Sequence, residues 1–154
     1  MRKEGHCMES KSNIRETLLH LELMRRRILR PYFTKLGLTL GQGQPRILDC
    51  LLSHENITQK ELADTCWLDT TTLSRVLDHM ENAGLIRRNQ HPGCRRSYQI
   101  SLTEQGKEKA LEVRRGFAAV DEQIWKGFEL EEMEQLLALL KRIEKNLQES
   151  DLIE

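Results

Sequence analysis

Thr58-Gln-Lys-Glu-Leu-Ala-Asp64, Asp69-Thr-Thr-Thr-Leu-Ser-Arg-Val-Leu-Asp-His-Met-Glu-Asn-Ala-Gly84, Leu85-Ile-Arg-Arg88 and Ser97-Tyr-Gln-Ile-Ser-Leu102 follow one another with only short connectors. The first segment opens on a capping box. Thr58 can accept from the backbone amide of Glu61 while the Glu61 side chain reaches back, so a short helix is expected to run to about Cys66. In the second, Asp69 is a good N-cap, Leu73, Val76, Leu77 and Met80 recur at steps of three and four, and Gly84 marks the end. The last two segments bracket Asn89-Gln-His-Pro-Gly-Cys94. Polar Ser97, Gln99 and Ser101 alternate there with apolar Tyr98, Ile100 and Leu102, which predicts a two-stranded hairpin. Helix, short turn, helix and basic hairpin stand in the order of a winged helix-turn-helix.

Outward from this module the pattern is helical on both sides. Ile14, Leu18, Leu21, Met24 and Ile28 describe one apolar stripe of a helix expected to end before Pro31. Gly37-Leu-Thr-Leu-Gly-Gln-Gly43 reads as a loop. Pro45 suits the first turn of a helix carrying Ile47, Leu48, Leu51 and Leu52 and ending near Ser53-His54. Downstream, Thr103 should cap a long helix with Leu111, Val113, Phe117, Val120 and Ile124 facing inward. A final helix carries Leu130, Met133, Leu136, Leu137, Leu140, Ile143 and Leu147, with Glu131, Glu132 and Glu134 near its start and Lys141, Arg142 and Lys145 near its end, which suits the helix dipole.

The expected fold is mainly α with a small β-hairpin: a winged helix-turn-helix with N- and C-terminal dimerisation helices. Residues 11–36 would form the N-terminal dimerisation helix and connector, 37–102 the DNA-binding domain, and 103–150 the C-terminal dimerisation helices.

At 154 residues, 38% hydrophobic and 31% charged, the chain is long enough for one domain with extensions. No apolar run is long enough to cross a bilayer, and Met1-Arg-Lys-Glu-Gly-His-Cys7 has no apolar core behind its basic residues, so a signal peptide is not expected and a cytoplasmic location is. The formal net charge of +0 hides a segregation. Residues 121–154 carry four basic against ten acidic side chains, or −6, which leaves +6 on residues 1–120. A positive body with an acidic tail is compatible with nucleic acid as a partner, because binding depends on a local basic face.

Once the apolar stripe of the Asp69-capped helix is assigned, Thr70, Thr71, Ser74, Arg75, Asp78, His79 and Asn82 share the other face. Small hydroxyls allow close approach to the floor of a major groove, and Arg75 can donate two bonds to guanine O6 and N7. Thr70 and Thr71 suit phosphate contacts at the first turn, as do Gln59 and Lys60 at the start of the preceding helix. Arg87, Arg88, Arg95 and Arg96 would gather around a Pro92-Gly93 turn, a projecting tip fit for the minor groove. The competing interpretation is an ordinary solvated helix face and a soluble turn. The residues assigned to DNA are Gln59, Lys60, Thr70, Thr71, Ser74, Arg75, His79, Arg88, Arg95 and Arg96.

The chain resembles the MarR (multiple antibiotic resistance) regulators from about residue 11 to 148. The resemblance is carried by Leu36-Gly-Leu-Thr39, Gly43-Gln-Pro-Arg-Ile-Leu48, the two helices quoted above, Met80-Glu-Asn-Ala-Gly-Leu-Ile-Arg-Arg88, Arg95-Arg96 and Leu102-Thr-Glu-Gln-Gly106. It implies an obligate homodimer with interlocked terminal helices, a winged helix-turn-helix on each protomer, a pseudo-palindromic operator in double-stranded DNA, and release by a small phenolic, metal or oxidant signal. Apolar stripes on the first and last helices point independently to a dimer. One departure concerns the wing, where His91 and Cys94 stand in place of the aspartate that buttresses the wing arginine in many relatives.

Other chemistry finds less support. Cys7, Cys50, Cys66 and Cys94 form no CxxC pair. Cys7 and Cys94 are the candidates for a redox-sensing alternative, with Arg95 favouring the thiolate of its neighbour, whereas Cys50 and Cys66 occupy core positions. His6-Cys7 and His20 make no convincing metal site, no cofactor is indicated, and the five scattered histidines with no phosphate loop or nucleophile elbow argue against an enzyme. A winged helix that docks a protein remains a further alternative. Trp67, Tyr32, Phe33 and Phe117 are candidates to line an effector cavity, with core packing as the simpler role.

Overall fold

Pro31 does not end the first helix. In the computed structural model, which describes residues 2–91 and 93–150 and the side chains of 10–90, 93 and 98–150, helix α1 spans Arg2–Lys35 with Pro31 inside it. An interior proline costs about 3 kcal/mol through its missing N–H and its clash with the preceding turn. Packing offsets that cost: Leu29 and Phe33 on either side are buried, and the Tyr32 hydroxyl donates to the Glu112 carbonyl at 2.9 Å. The stop comes at Gly37, whose φ of 72° suits glycine. There Gly37 N–H donates to Thr34 O and Leu38 N–H to Phe33 O, the paired bonds of a Schellman ending, with Phe33 and Leu38 both buried.

The expected loop then contains a 3₁₀ turn, Leu40–Gln42, before α2 (Gln44–Ser53), which has its proline in the first turn. Next come α3 (Gln59–Cys66) and α4 (Thr70–Asn82), and later α5 (Glu104–Ile124). The capping box at α3 is formed: Thr58 Oγ1 accepts from Glu61 N–H at 3.3 Å, and Thr58 N–H donates to Glu61 Oε2 at 2.9 Å. Helix α4 ends in a second Schellman pair, Leu85 N–H to Met80 O and Gly84 N–H to Glu81 O, with Gly84 at φ 71°.

Among the described residues the sheet has three strands, not the two expected. Ile57–Thr58 forms β1, which pairs antiparallel with β3 (Cys94–Leu102), and β3 pairs in turn with β2 (Ile86–His91), giving the order β1-β3-β2. Both hairpin strands are longer than expected, so that His91 faces Cys94 across a two-residue turn, and the ladder shifts register between Gln90 and His91. Pro92 of that turn lies outside the described residues. Ile57 and Ile100, partners in the register, are both buried, which explains why so short a strand is held.

Two compact units make up the chain, Met1–Val120 and Asp121–Glu154. In the first, α2, α3, α4 and the sheet close over one core in which Ile47, Leu48, Leu62, Leu73, Leu77, Met80 and Ile100 are 0% exposed. Helix α5 contributes Gly106, Ala110, Val113, Gly116 and Val120, while Leu111 and Ile124 face solvent, contrary to their expected inward orientation. Small residues let the helix approach closely, and the larger side chains lie beside that ridge. The Ile14, Leu18, Leu21, Met24 and Ile28 stripe of α1 is exposed. In the second unit α6 (Leu130–Gln148) has no buried residue, although its leucines repeat at helical spacing.

Candidate nucleic-acid interface

Helix α4 is held at its start by Asp69, whose Oδ1 accepts the Thr72 N–H at 2.8 Å. Hydrogen bonds from the Thr72 side chain and backbone keep the Asp69 carboxyl below the usual aspartate range. Along the helix Leu73, Val76, Leu77 and Met80 are buried, and Thr70, Thr71, Arg75, Asp78, His79 and Asn82 are exposed with Ser74 half-buried. The division into one buried and one polar face is therefore as the periodicity predicts. Lys60 is exposed and Gln59 half-buried at the first turn of α3.

The wing arginines are distributed differently from the sequence expectation. Arg88 does not point to the tip but folds back on α4: its Nη2 meets Asp78 Oδ1 and its Nη1 meets Glu81 Oε2, each at 2.7 Å, while its backbone N–H donates to Glu81 Oε1 at 3.2 Å. Its side chain is 18% exposed. Both acids lie on a helix that precedes it, and strand pairing of Arg88 with Ile100 places it on the face toward them. Asp78, an acid on the polar face of α4, is thereby paired with a guanidinium. Arg87, on the opposite side of the strand, donates Nε to Ser101 Oγ at 3.1 Å near the root of the hairpin. Arg95 and Arg96 belong to β3, but their side chains, like those of Cys7 and Cys94, lie outside the described residues.

Besides a groove of about 380 Å³ lined in part by Arg87 and Ser101 at the hairpin root, two grooves adjoin these elements. One of about 730 Å³ is lined by Leu23, Arg26, Arg27, Arg30, Pro31 and Thr34 of α1 and by residues 37–41. The other, about 370 Å³, lies between the 3₁₀ turn and α4 and is lined in part by Arg75 and His79 themselves. Among the described residues no group of three or more His, Cys, Asp or Glu side chains could hold a metal ion. Cys66 is buried, and burial followed by its neighbour Cys50 pushes its thiol up to about 12. Burial likewise raises that of Cys50, so both remain protonated at neutral pH, as core thiols do. Phe33 and Phe117 pack edge to face in the core, whereas Trp67 is 73% exposed and lines neither groove.

Residues 40–98, the 3₁₀ turn through most of the hairpin, match the MarR family model. The organic hydroperoxide resistance transcriptional regulator of Bacillus subtilis (strain 168) is 39% identical over 87 residues, which cover 54% of this chain and 58% of that protein. Among solved structures, AbsC, a MarR family transcriptional regulator from Streptomyces coelicolor, aligns with a TM-score of 0.80 at 26% identity, over 92% of this chain and 96% of its own. The transcriptional regulator SlyA aligns at 0.76 and 26% identity over 88% and 94%. Over residues 40–98 the chain is similar to the MarR family, and its fold is that of these regulators. It spans little more than half the length of the curated relative it matches.

Within this winged helix, the sequence left unmarked the strand Ile57–Thr58 and the inward turn of Arg88. Two residues carry no period, so nothing local marks β1. Glu81 lying seven positions before Arg88 was legible, but only the β2–α4 packing brings the two together.

Proposed function

We propose that this protein is a MarR-type, sequence-specific DNA-binding transcriptional regulator, a homodimer on a pseudo-palindromic operator, acting as a ligand-responsive repressor. The observation that supports it most is α4: four apolar residues sunk in the core anchor a helix whose opposite face is left exposed with Thr70, Thr71, Arg75 and His79. Inserted in a major groove, that face would put Arg75 on base edges, with Ser74 beside it and Gln59, Lys60, Thr70 and Thr71 on phosphates. Arg95 and Arg96 would reach the flanking minor groove, and Arg88 would act by fixing the wing against α4. The module 37–102 is the reading head in this scheme, and 11–36 with 103–150 form the dimer. Exposed leucines and isoleucines along α1 and α6 supply the apolar area that such a dimer would bury.

A small-molecule effector has a place in the groove between α1 and residues 37–41, where Arg26, Arg27 and Arg30 line one side and Leu23, Leu38 and Leu40 offer apolar surface. Binding there would alter the fit of two heads to two half-sites. No catalytic step is assigned, and the setting is cytoplasmic. No helix among the described residues is long and apolar enough to cross a membrane. A redox reading through Cys7 or Cys94 draws on the name of the Bacillus subtilis relative; DNA release by an organic hydroperoxide, abolished by Cys7→Ser or Cys94→Ser, would support it.

Selection of bound fragments from random duplex DNA tests the main reading, with paired half-sites about one helical turn apart as the expected result. Arg75→Ala should then lose about 1–3 kcal/mol of discrimination at one base position. Unchanged relative affinities for single-base operator variants would remove Arg75 from the base-reading set.

A further inference from the structure

The turn between α3 and α4 carries a surface that the polar face of α4 does not account for. Trp67 closes α3 in the left-handed region, φ 52°, where a residue with a Cβ costs roughly 1 kcal/mol or more, and its indole is left 73% exposed. Leu68 turns the other way, with its Cδ1 atom 3.3 Å from the point where a Cβ on Gly43 would stand. Beside Trp67, Arg46 of α2 donates Nη1 to the Cys66 carbonyl at 2.9 Å and is otherwise exposed, so one side of its guanidinium fork stays available. Asp69 in the same connector is turned in to cap α4. Three residues beyond Trp67, the exposed Thr70 begins the face assigned to the groove.

We propose that Arg46 and Trp67 form a clamp on the sugar–phosphate backbone of duplex DNA, on the strand bordering the groove that α4 enters. This rests on the DNA-binding reading above. If α4 enters a groove by its N-terminal turn, the residues just before its cap lie against the wall of that groove. A guanidinium and an indole N–H then meet phosphate oxygens, and the flat apolar ring covers deoxyribose. Such contacts position the protein without reading sequence. A strained backbone holding a large aromatic ring in water is otherwise a net cost to the free protein.

The test uses the full chain with Trp125→Phe, which leaves Trp67 as its one tryptophan, since the sequence has two. A duplex recovered by selection and a scrambled duplex of the same length are titrated in at low salt. Trp67 emission should change on binding both. Trp67→Gly and Arg46→Gln should each weaken both duplexes by a similar factor, about tenfold. Arg46→Gln should make the salt dependence shallower by about 0.9 in log–log slope. Trp67→Gly should melt no lower than its parent, because glycine relieves the left-handed strain, so weaker binding is not misfolding. Tight binding with unchanged Trp67 emission, or a loss confined to the selected duplex, would overturn the clamp and leave the regulator reading intact. A parent protein that binds neither duplex would overturn both.

Discussion

Helices α4 and α6 carry the same kind of apolar stripe and end in opposite surroundings. Leu73, Val76, Leu77 and Met80 of α4 are between 0% and 5% exposed, whereas Leu137, Leu140, Ile143 and Leu147 of α6 are between 37% and 64% exposed. Periodicity reports that a helix has an apolar side; it does not report which surface covers it. In α4 the cover is α3, the sheet and the rest of the first unit, so its polar side is the one available to a partner. In α6 it is the apolar side that is exposed, the surface that the proposed dimer would bury.

Truncation inside α4 should have the largest effect on this contrast. Leu77→Ala should cost about 2–5 kcal/mol in urea or thermal unfolding, because a fully buried leucine leaves a cavity. Leu137→Glu with Leu140→Glu in α6 should leave the fold of the reading head in place and shift the sedimenting species from dimer to monomer. Affinity for a two-half-site duplex should then fall by about a hundredfold or more, since the two heads no longer bind as one. An unchanged dimer after that double substitution would break the comparison.

A smaller effect is expected where α4 meets the wing. Arg88→Ala removes two ion pairs whose acids are partly solvated, so its cost is about 1–2 kcal/mol, and amide exchange should rise in β2 before it rises in α2. The smallest concerns the cap. Asp69 has a folded-state pKa below its unfolded value, so its contribution is present above the ordinary aspartate range and is lost as pH falls through the lowered value. Protection of the Thr72 amide should therefore decline in acid below about pH 4, and Asp69→Asn should keep the cap while flattening that dependence.

Much of the winged helix was legible because its signals are short-range. Thr58 with Glu61, Asp69 with Thr72, and Gly84 after Met80 each act within a few residues, so the bounds of α3 and α4 follow from spacing. Pro31 misled for the same reason. Its local preference is to stop a helix, and the opposing terms, Phe33 in the core and Tyr32 bonded to Glu112, come from a segment eighty residues away. Arg88 and Trp67 show the limit from the functional side. A basic residue in a wing and an aromatic residue near an apolar run both invite a reading by type, but one is folded onto two acids and the other stands in solvent.

Amino-acid order alone determined the helix caps, the two faces of α4, the basic hairpin and the segregation of charge, since each depends on neighbours within a turn or two. Only tertiary structure decided that α1 continues through Pro31, that Ile57–Thr58 joins the sheet, that Arg88 braces the wing and that the α6 leucines lie uncovered. Those outcomes depend on contacts between residues far apart in the chain, where burial energies of several kcal/mol outweigh local preferences of about one to three.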